Sequence, residues 1–233
     1  MTTSQSDKAA RFRALHRGPG AFLIPNPWDA GSARALAGLG FQALATSSGA
    51  CAGTLGRRDG KVTREEALAH ARAIVMATDL PVSADLEKGF GDAPAAAARA
   101  ARALPFAFTL TARAENFSRG RPDLQDTIRR LQAFEKAGAD VLMAPGLPDL
   151  AAVRAVCAAV SKPVNFMAGI KGKSFSVAEL QAAGVRRISL ATSLYRAAMS
   201  GLLEAAREVS EKGSFGYLER SLTTAELNAF MEN

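Results

Sequence analysis

The sequence predicts an α/β fold of the (β/α)8 TIM-barrel type, in which only seven strands can be recognised. Short apolar runs alternate with alanine-rich segments of helical spacing, as in a chain of repeated strand and helix units. The runs are apolar on both faces, which is typical of buried parallel strands. The length of 233 residues also suits one barrel domain, since such domains commonly have roughly 250 residues.

The predicted strands are apolar runs bounded by glycine, proline, serine or aspartate. They lie at residues 21–25, 42–47, 81–85, 106–112, 140–144, 163–168 and 187–191. A complete barrel requires eight strands. The missing strand is expected between residues 91 and 106, where the sequence has room for one helix and nothing else.

Helical patterns follow most of these strands, and two of them begin with a capping-box spacing. Thr63 precedes Glu66 by three residues, and Ser176 precedes Glu179 in the same way. The predicted helices lie at residues 29–39, 63–77, 92–104, 123–137, 149–160, 176–183, 193–212 and 223–233. No linker rich in proline, glycine or serine divides the chain, so we predict a single domain over residues 1–233 with C-terminal helices from about residue 193.

Composition argues against several classes of protein. No apolar run approaches the roughly 18 residues of a membrane span, and the first twenty residues contain no apolar core of a secretory signal. A cytoplasmic protein without a membrane partner is therefore expected. The net charge of +7 comes from scattered arginines without interleaved aromatic residues, so no nucleic-acid partner is predicted. Cys51 and Cys157 form no metal-binding spacing, and neither His16 nor His70 has a partner at ligand spacing.

The acidic segment at residues 82–92 is the most informative candidate for chemistry. Alternate residues of a strand share a face, so Asp85 and Glu87 are expected to point together at the C-terminal end of the third strand. Barrel active sites lie at that end, and Mg²⁺ is held by one or two carboxylates plus substrate oxygens. The alternative is a pair of solvated loop acids beside a glycine turn.

Two further segments could bind anions. Arg113 ends an apolar strand, and its planar guanidinium suits a carboxylate or phosphate. The alternative is that it merely neutralises Glu115. Small residues at 46–49 would let backbone amides approach an anion, although such residues are also common in loops. The sequence ending in Gly-Lys-Ser at 172–174 is not a P-loop, because the leading glycine would have to stand at Met167.

Four segments taken together indicate a protein family more specifically than any one of them does alone. The chain reads Ile-Pro-Asn-Pro-Trp-Asp-Ala at 24–30, Thr-Ser-Ser-Gly at 46–49, Ala-Asp-Leu-Glu-Lys-Gly-Phe-Gly-Asp at 84–92 and Thr-Ala-Arg-Ala-Glu at 111–115. In this order and spacing they resemble the strand-end motifs of the isocitrate lyase and phosphoenolpyruvate mutase family. The resemblance extends from about residue 12 to residue 218.

The resemblance implies a Mg²⁺-dependent lyase or decarboxylase-like enzyme, with Mn²⁺ as the alternative ion. It would act on carbon–carbon bonds of a small 2-oxo or 2-hydroxy di- or tricarboxylate through an enolate. It also implies a homo-oligomer, either a dimer or a tetramer, because family members exchange a C-terminal helix. By resemblance the metal-side carboxylates are Asp85 and Glu87, and the acid near metal-bound water is Asp59. The residues that bind the pyruvyl group are Ser48 and Gly49. A wall of the site is Trp28, and the cation facing substrate is Arg113.

The departures from the family pattern are equally specific. The family's next strand carries a glutamate that also serves the metal site, and neither this strand nor the following gating loop has a counterpart here. The lyases' catalytic cysteine lies in that loop, whereas Cys51 and Cys157 lie elsewhere, so a true isocitrate lyase is not expected. Either the chain is a shortened form or its sequence omits residues. A catalytically impaired member with an anion-binding or assembly role is the alternative function.

Overall fold

The computed structural model describes residues 3–87 and 106–232 of the chain. The predicted helix at residues 92–104 lies outside the described residues. The last part of the acidic segment, residues 88–92, also lies outside them. The acidic segment is therefore described only as far as Glu87.

Each of the seven predicted strands has a counterpart in the structure, although the observed strands are shorter. They are β1 (Phe22–Ile24), β2 (Leu44–Ala45), β3 (Val82–Ser83), β4 (Thr111–Arg113), β5 (Val141–Met143), β6 (Val164–Met167) and β7 (Arg187–Ser189). The largest shift is in β4, which occupies only the end of its predicted run and extends to Arg113. Arg113 is the last residue of β4.

All strand pairs are parallel, as the alternation of strands and helices predicts. One sheet has the order β1-β7-β6-β5-β4, and a second pairs β2 with β3. The N–H of Ala45 donates to the carbonyl of Pro25 at 3.0 Å, which joins β2 to the end of β1. The strand order is that of a TIM-barrel-like fold, and among the described residues no ladder joins the two sheets.

The helices largely follow prediction, and a side chain caps the N-terminus of each described one except the helix at Ser193–Lys212. They are α1 (Gln5–Leu15), α2 (Ala30–Gly38), α3 (Ser48–Thr54), α4 (Arg64–Met76), α5 (Leu124–Lys136), α6 (Leu150–Ala159), α7 (Val177–Ala182), α8 (Ser193–Lys212) and α9 (Thr224–Ala229), with a 3-10 turn at Gly216–Arg220. The capping boxes predicted at Thr63 and Ser176 are both present. Helices α1 and α3 were not predicted, and α9 ends before the predicted residue 233.

Alternate side chains of a strand point to opposite faces, so the buried strand residues form two sets. Leu142, Phe166 and Ile188 pack against α5, α6 and α7 in the largest core cluster. On β1 and β2, Ile24 and Ala45 pack instead with Phe12 of α1. The first set fills the layer between sheet and helices, because the parallel strands need both faces covered. Within residues 3–87 and 106–232, no helix combines the length and apolarity that a bilayer crossing requires.

Candidate functional site

Asp85 follows β3 and is held by backbone groups of two neighbouring segments. Its Oδ2 accepts the N–H of Ser48 at 3.3 Å, and its Oδ1 accepts the N–H of Glu87 at 3.0 Å. Its own N–H donates to Thr46 Oγ1 at 2.8 Å. A carboxylate has about four lone-pair positions, so both oxygens keep capacity for a cation or for its water ligands.

Asp85 and Glu87 come together by a route different from the predicted one. The pleat of a strand does not align them, because β3 ends at Ser83. Glu87 instead has a positive φ of 49°, and its N–H is bound by the Asp85 side chain. Non-glycine residues with positive φ are uncommon and concentrate at functional sites. The predicted pairing is therefore present, although its cause is a turn.

The two acids line one small pocket at the C-terminal ends of β2 and β3. Its walls come from the start of α3, from α4 and from the two strand ends. The lining residues are Thr46, Ser47, Ser48, Cys51, Val62, Ala67, His70, Asp85 and Glu87. Burial, followed by the negative charges of Glu66 and Glu87, raises the pKa of the Cys51 thiol. Cys51 is therefore a neutral wall of this pocket and not a nucleophile.

Ser48 and Gly49 begin α3 and are not in a loop as predicted. A Cβ at Gly49 would lie 2.8 Å from Thr192 Cγ2 and 3.3 Å from Asp59 Oδ2. The chain is thus packed closely at Gly49, between an exposed acid and the segment that follows β7. The structure places Gly49 beside Asp59, and the resemblance assigns both residues to the site. Thr192 is a further neighbour of Gly49, and no sequence motif selects it.

Two residues of the first strand-end motif fasten the site to its surroundings. Buried Asn26 donates from Nδ2 to the carbonyl of Thr46 at 2.9 Å, and its Oδ1 accepts the N–H of Leu190 at 3.0 Å. The carbonyl of Trp28 accepts from His70 Nε2 at 2.9 Å. Asn26 therefore joins the ends of β1, β2 and β7, and His70 joins α4 to the predicted wall residue.

The Trp28 ring is half-buried and meets Tyr195 of α8 edge to face, with ring centroids 5.7 Å apart. Tyr195 in turn lies over α3, where a Cβ at Gly53 would come within 2.5 Å of its hydroxyl. Neither His70 nor Tyr195 was selected from the sequence. Only their tertiary contacts with Trp28 and with the pocket reveal a role.

Arg113 forms the ion pair that the sequence analysis gave as its alternative role. Its Nε contacts Glu115 Oε1, and Glu115 Oε2 also meets Arg119 Nε at 3.4 Å and accepts from Ser118 Oγ at 2.7 Å. In the described structure Arg113 does not line the pocket of Asp85. Both side chains of the pair are about one third exposed, so a competing carboxylate can reach Arg113.

The donor set around Asp85 suits Mg²⁺ with a bound substrate better than a cage made by the protein alone. Within the described ranges no group of three or more histidine, cysteine, aspartate or glutamate side chains could hold a metal. Mg²⁺, however, keeps several waters and binds through one or two carboxylates plus substrate oxygens. Asp85 and Glu87 supply two such carboxylates.

A family model described as phosphoenolpyruvate phosphomutase matches the chain over residues 12–104 and 95–210. The two matched segments overlap at residues 95–104. This overlap lies in the stretch where one predicted strand is missing. Such an overlap is expected where a chain joins two parts of a family pattern around an omitted piece.

Individual relatives agree with this match. A solved structure from Burkholderia cenocepacia J2315, provisionally assigned as a lyase/mutase, is 44% identical with a TM-score of 0.95 and covers 98% of each chain. An uncharacterized protein of Mycobacterium tuberculosis H37Rv is 29% identical over 251 residues, covering 94% of this chain and 95% of its own. The 2-methylisocitrate lyase of Halalkalibacterium halodurans is 39% identical over 89 residues, which cover 38% of this chain and 30% of that protein.

Proposed function

The chain belongs to the isocitrate lyase and phosphoenolpyruvate mutase family, and from this premise we propose that it is a Mg²⁺-dependent carbon–carbon lyase or decarboxylase-like enzyme. Its substrate is a small 2-oxo or 2-hydroxy di- or tricarboxylate. The observation that carries the proposal is the shared pocket of Asp85 and Glu87. Asp85 is held there by the N–H groups of Ser48 and Glu87.

In this proposal the acids of the pocket hold the ion and the neighbouring segments orient the substrate. Asp85 and Glu87 bind Mg²⁺ directly or through its waters, and exposed Asp59 helps to hold that water. When bound, Mg²⁺ supplies positive charge beside the oxygen on which negative charge develops during cleavage. The first turn of α3, with Ser48 and Gly49, faces the pyruvyl group.

Arg113 and Trp28 complete the proposed substrate site. Together with Ser48 and Gly49, Arg113 orients the carboxylates of the substrate, for which its paired N–H donors are suited. Trp28 forms an apolar wall that excludes water, and its position is supported by His70 and Tyr195. Exclusion of water strengthens the electrostatic contacts within the site.

Calorimetry with Mg²⁺ and oxalate tests the site directly. Oxalate presents two oxygens on adjacent carbons, in the same arrangement as the carboxylate oxygen and the enolate oxygen of a 2-oxo acid enolate. We expect oxalate to bind only when Mg²⁺ is present, and Asp85→Ala to abolish both this binding and the metal-dependent turnover of any active oxo acid. Asp79→Ala is the matched control, because its side chain is 66% exposed and lies beside Lys8.

Wild-type protein that binds neither Mg²⁺ nor oxalate would favour the second candidate, a catalytically impaired member with an anion-binding or assembly role. Two observations support this candidate. The described residues provide no cluster of three metal ligands, and Arg113 is already paired with Glu115. Unchanged turnover in Asp85→Ala would remove the metal assignment altogether.

We also propose that the protein is a homo-oligomer assembled through its C-terminal apolar surface. No residue of α8 is buried, although a 20-residue helix with apolar side chains normally packs one face. The surface consists of exposed Leu202, Leu203, Val209, Phe215, Leu218 and Leu222. Light scattering should give a dimer or tetramer, and replacement of Leu202 and Leu203 by serine should dissociate it. Leu39→Ser, at an exposed leucine elsewhere, should leave the mass unchanged.

A further inference from the structure

Arg187 is a buried cation in the interior between the strands. It is the first residue of β7 and is only 5% exposed. Its Nε donates to Asn165 Oδ1 at 2.8 Å, and its Nη2 donates to Thr111 Oγ1 at 3.1 Å. Thr111 belongs to β4, which is separated from β7 by β5 and β6 in the sheet. The arginine side chain therefore links two strands that do not pair with each other.

The surroundings of Arg187 make this contact costly. Among the described residues it forms no ion pair, and its Nη1 has no hydrogen-bond partner. Burial lowers the pKa of Arg187 to about 10, so the side chain stays charged at neutral pH. A buried charge that is stabilised only by neutral acceptors is expensive, and barrel interiors are usually filled by branched apolar side chains. Its particular contacts therefore need an explanation beyond the filling of space.

The strand that Arg187 reaches is the one that carries Arg113. In the part of the chain that the structure describes, β4 pairs only with β5. Alternate side chains of a strand lie on the same face. Because Thr111 faces Arg187, Arg113 projects from the same face one step nearer the C-terminal edge. A shift of Thr111 would be transmitted to Arg113 through two residues of one strand.

We propose that Arg187 is a positioning residue for Arg113. By holding Thr111 from across the sheet interior, it fixes strand β4 and thereby the location of the Arg113 guanidinium and its Glu115 partner. The purpose assigned to Arg113, carboxylate binding, rests on the proposed function. The positioning itself does not, and it can be measured without any ligand.

Thr111→Val tests the contact with a side chain of nearly the same shape. It removes the acceptor of Arg187 and leaves the arginine in place. In protein labelled with ¹⁵N-arginine, the Arg113 Nε–Hε signal, assigned by its loss in Arg113→Met, should shift or broaden in Thr111→Val. Thr109→Val is the matched control, because the buried Thr109 hydroxyl has no hydrogen-bond partner. An Arg113 signal that is the same in Thr111→Val as in wild type would overturn the proposal.

A double-mutant cycle on Mg²⁺-dependent oxalate binding supplies the second test. Loss of one net hydrogen bond corresponds to about a fivefold to tenfold change, so Thr111→Val should weaken binding by about that factor. In an Arg113→Met background the same substitution should have no further effect, because its influence passes through Arg113. Equal effects in both backgrounds would contradict the positioning role. Absence of oxalate binding by wild type would contradict the proposed function and leave the ligand-free measurement decisive for Arg187.

Discussion

The backbone N–H of Ser48 donates to Asp85 Oδ2 at 3.3 Å, so the first turn of α3 is fastened to the carboxylate that follows β3. The other oxygen of the same carboxylate fixes the turn at Glu87. One side chain thus sets the geometry of both predicted metal ligands and of the predicted substrate-binding turn. Substitutions at Asp85 are expected to affect ion binding and local stability separately.

Asp85→Asn separates these two effects. The amide keeps an oxygen acceptor for one N–H but loses the negative charge. We expect Mg²⁺-dependent oxalate affinity to fall by at least about 100-fold, at the upper end of effects at metal sites. The free energy of unfolding should fall by about 1 to 3 kcal/mol, and by less than in Asp85→Ala. Calorimetry and urea unfolding measure the two quantities, and retained affinity in Asp85→Asn would contradict the metal role.

Gly49→Ala tests the close packing between α3, Asp59 and Thr192. Alanine ordinarily favours a helix over glycine, but here its Cβ would lie 2.8 Å from Thr192 Cγ2. We expect a loss of about 1 to 3 kcal/mol in unfolding free energy together with weaker oxalate binding. Gly201→Ala is the control, since among the described residues no atom outside its own stretch of helix lies within 4 Å of its Cβ position, and it should stabilise by about 0.5 to 1 kcal/mol. Equal stabilisation by both substitutions would show that Thr192 and Asp59 can move away from the added Cβ at no cost, which would contradict close packing at Gly49.

Glu115→Gln should release Arg113 for a substrate carboxylate. The neutral amide no longer competes for the guanidinium, and an exposed ion pair of this kind is worth up to about 1 kcal/mol. Calorimetric affinity for oxalate in the presence of Mg²⁺ should therefore rise by about two- to fivefold. Arg113→Met should change it in the opposite direction. Glu65→Gln serves as the control, because Glu65 is an exposed acid in the first turn of α4. Weaker oxalate binding in Glu115→Gln would mean that Glu115 helps to orient Arg113.

His16 should make stability depend on pH. Burial, followed by the positive charge of Arg187, lowers the pKa of His16 from 6.5 to about 4. The unfolded chain therefore binds more protons than the folded chain between these values. The stabilising contribution is complete above pH 6.5 and is lost as the pH falls towards 4, to a total of about 3 kcal/mol.

Urea unfolding of wild type and His16→Gln at pH 7 and pH 4.5 measures this contribution. The variant should lose less stability on acidification than wild type, because its side chain does not titrate. His70→Gln is the control, since that ring bonds to the carbonyl of Trp28. Parallel acid losses in wild type and His16→Gln would exclude His16 as the cause.

The secondary structure could be predicted mainly where local signals are strong. The capping boxes at Thr63 and Ser176 and the doubly apolar strands located most elements, because both patterns report local chemistry. Helix α3 was missed, since small residues such as Ser48 and Gly49 carry no helical periodicity. Its start depends on Ser47, whose Oγ accepts the N–H of Ala50 at 3.4 Å.

The site was predicted as a set of residue types rather than as an arrangement. Asp85 and Glu87, both selected by motif, line one pocket at the strand ends, and Gly49 packs beside Asp59. His70 was set aside because it has no partner close in sequence, yet it lines the pocket. Its neighbours there come from other strand ends, which only folding brings near.

The sequence by itself determined the parallel α/β fold, its seven recognisable strands and the acids available for chemistry, because hydrophobic periodicity, capping and residue type are local properties. Only the tertiary structure decided that a turn and not a strand aligns Glu87 with Asp85, that Arg113 is paired with Glu115, and that Arg187 reaches Thr111. These contacts join side chains to distant segments or to irregular backbone. Their geometry follows from packing and from the need to satisfy buried polar groups, which no short stretch of sequence encodes.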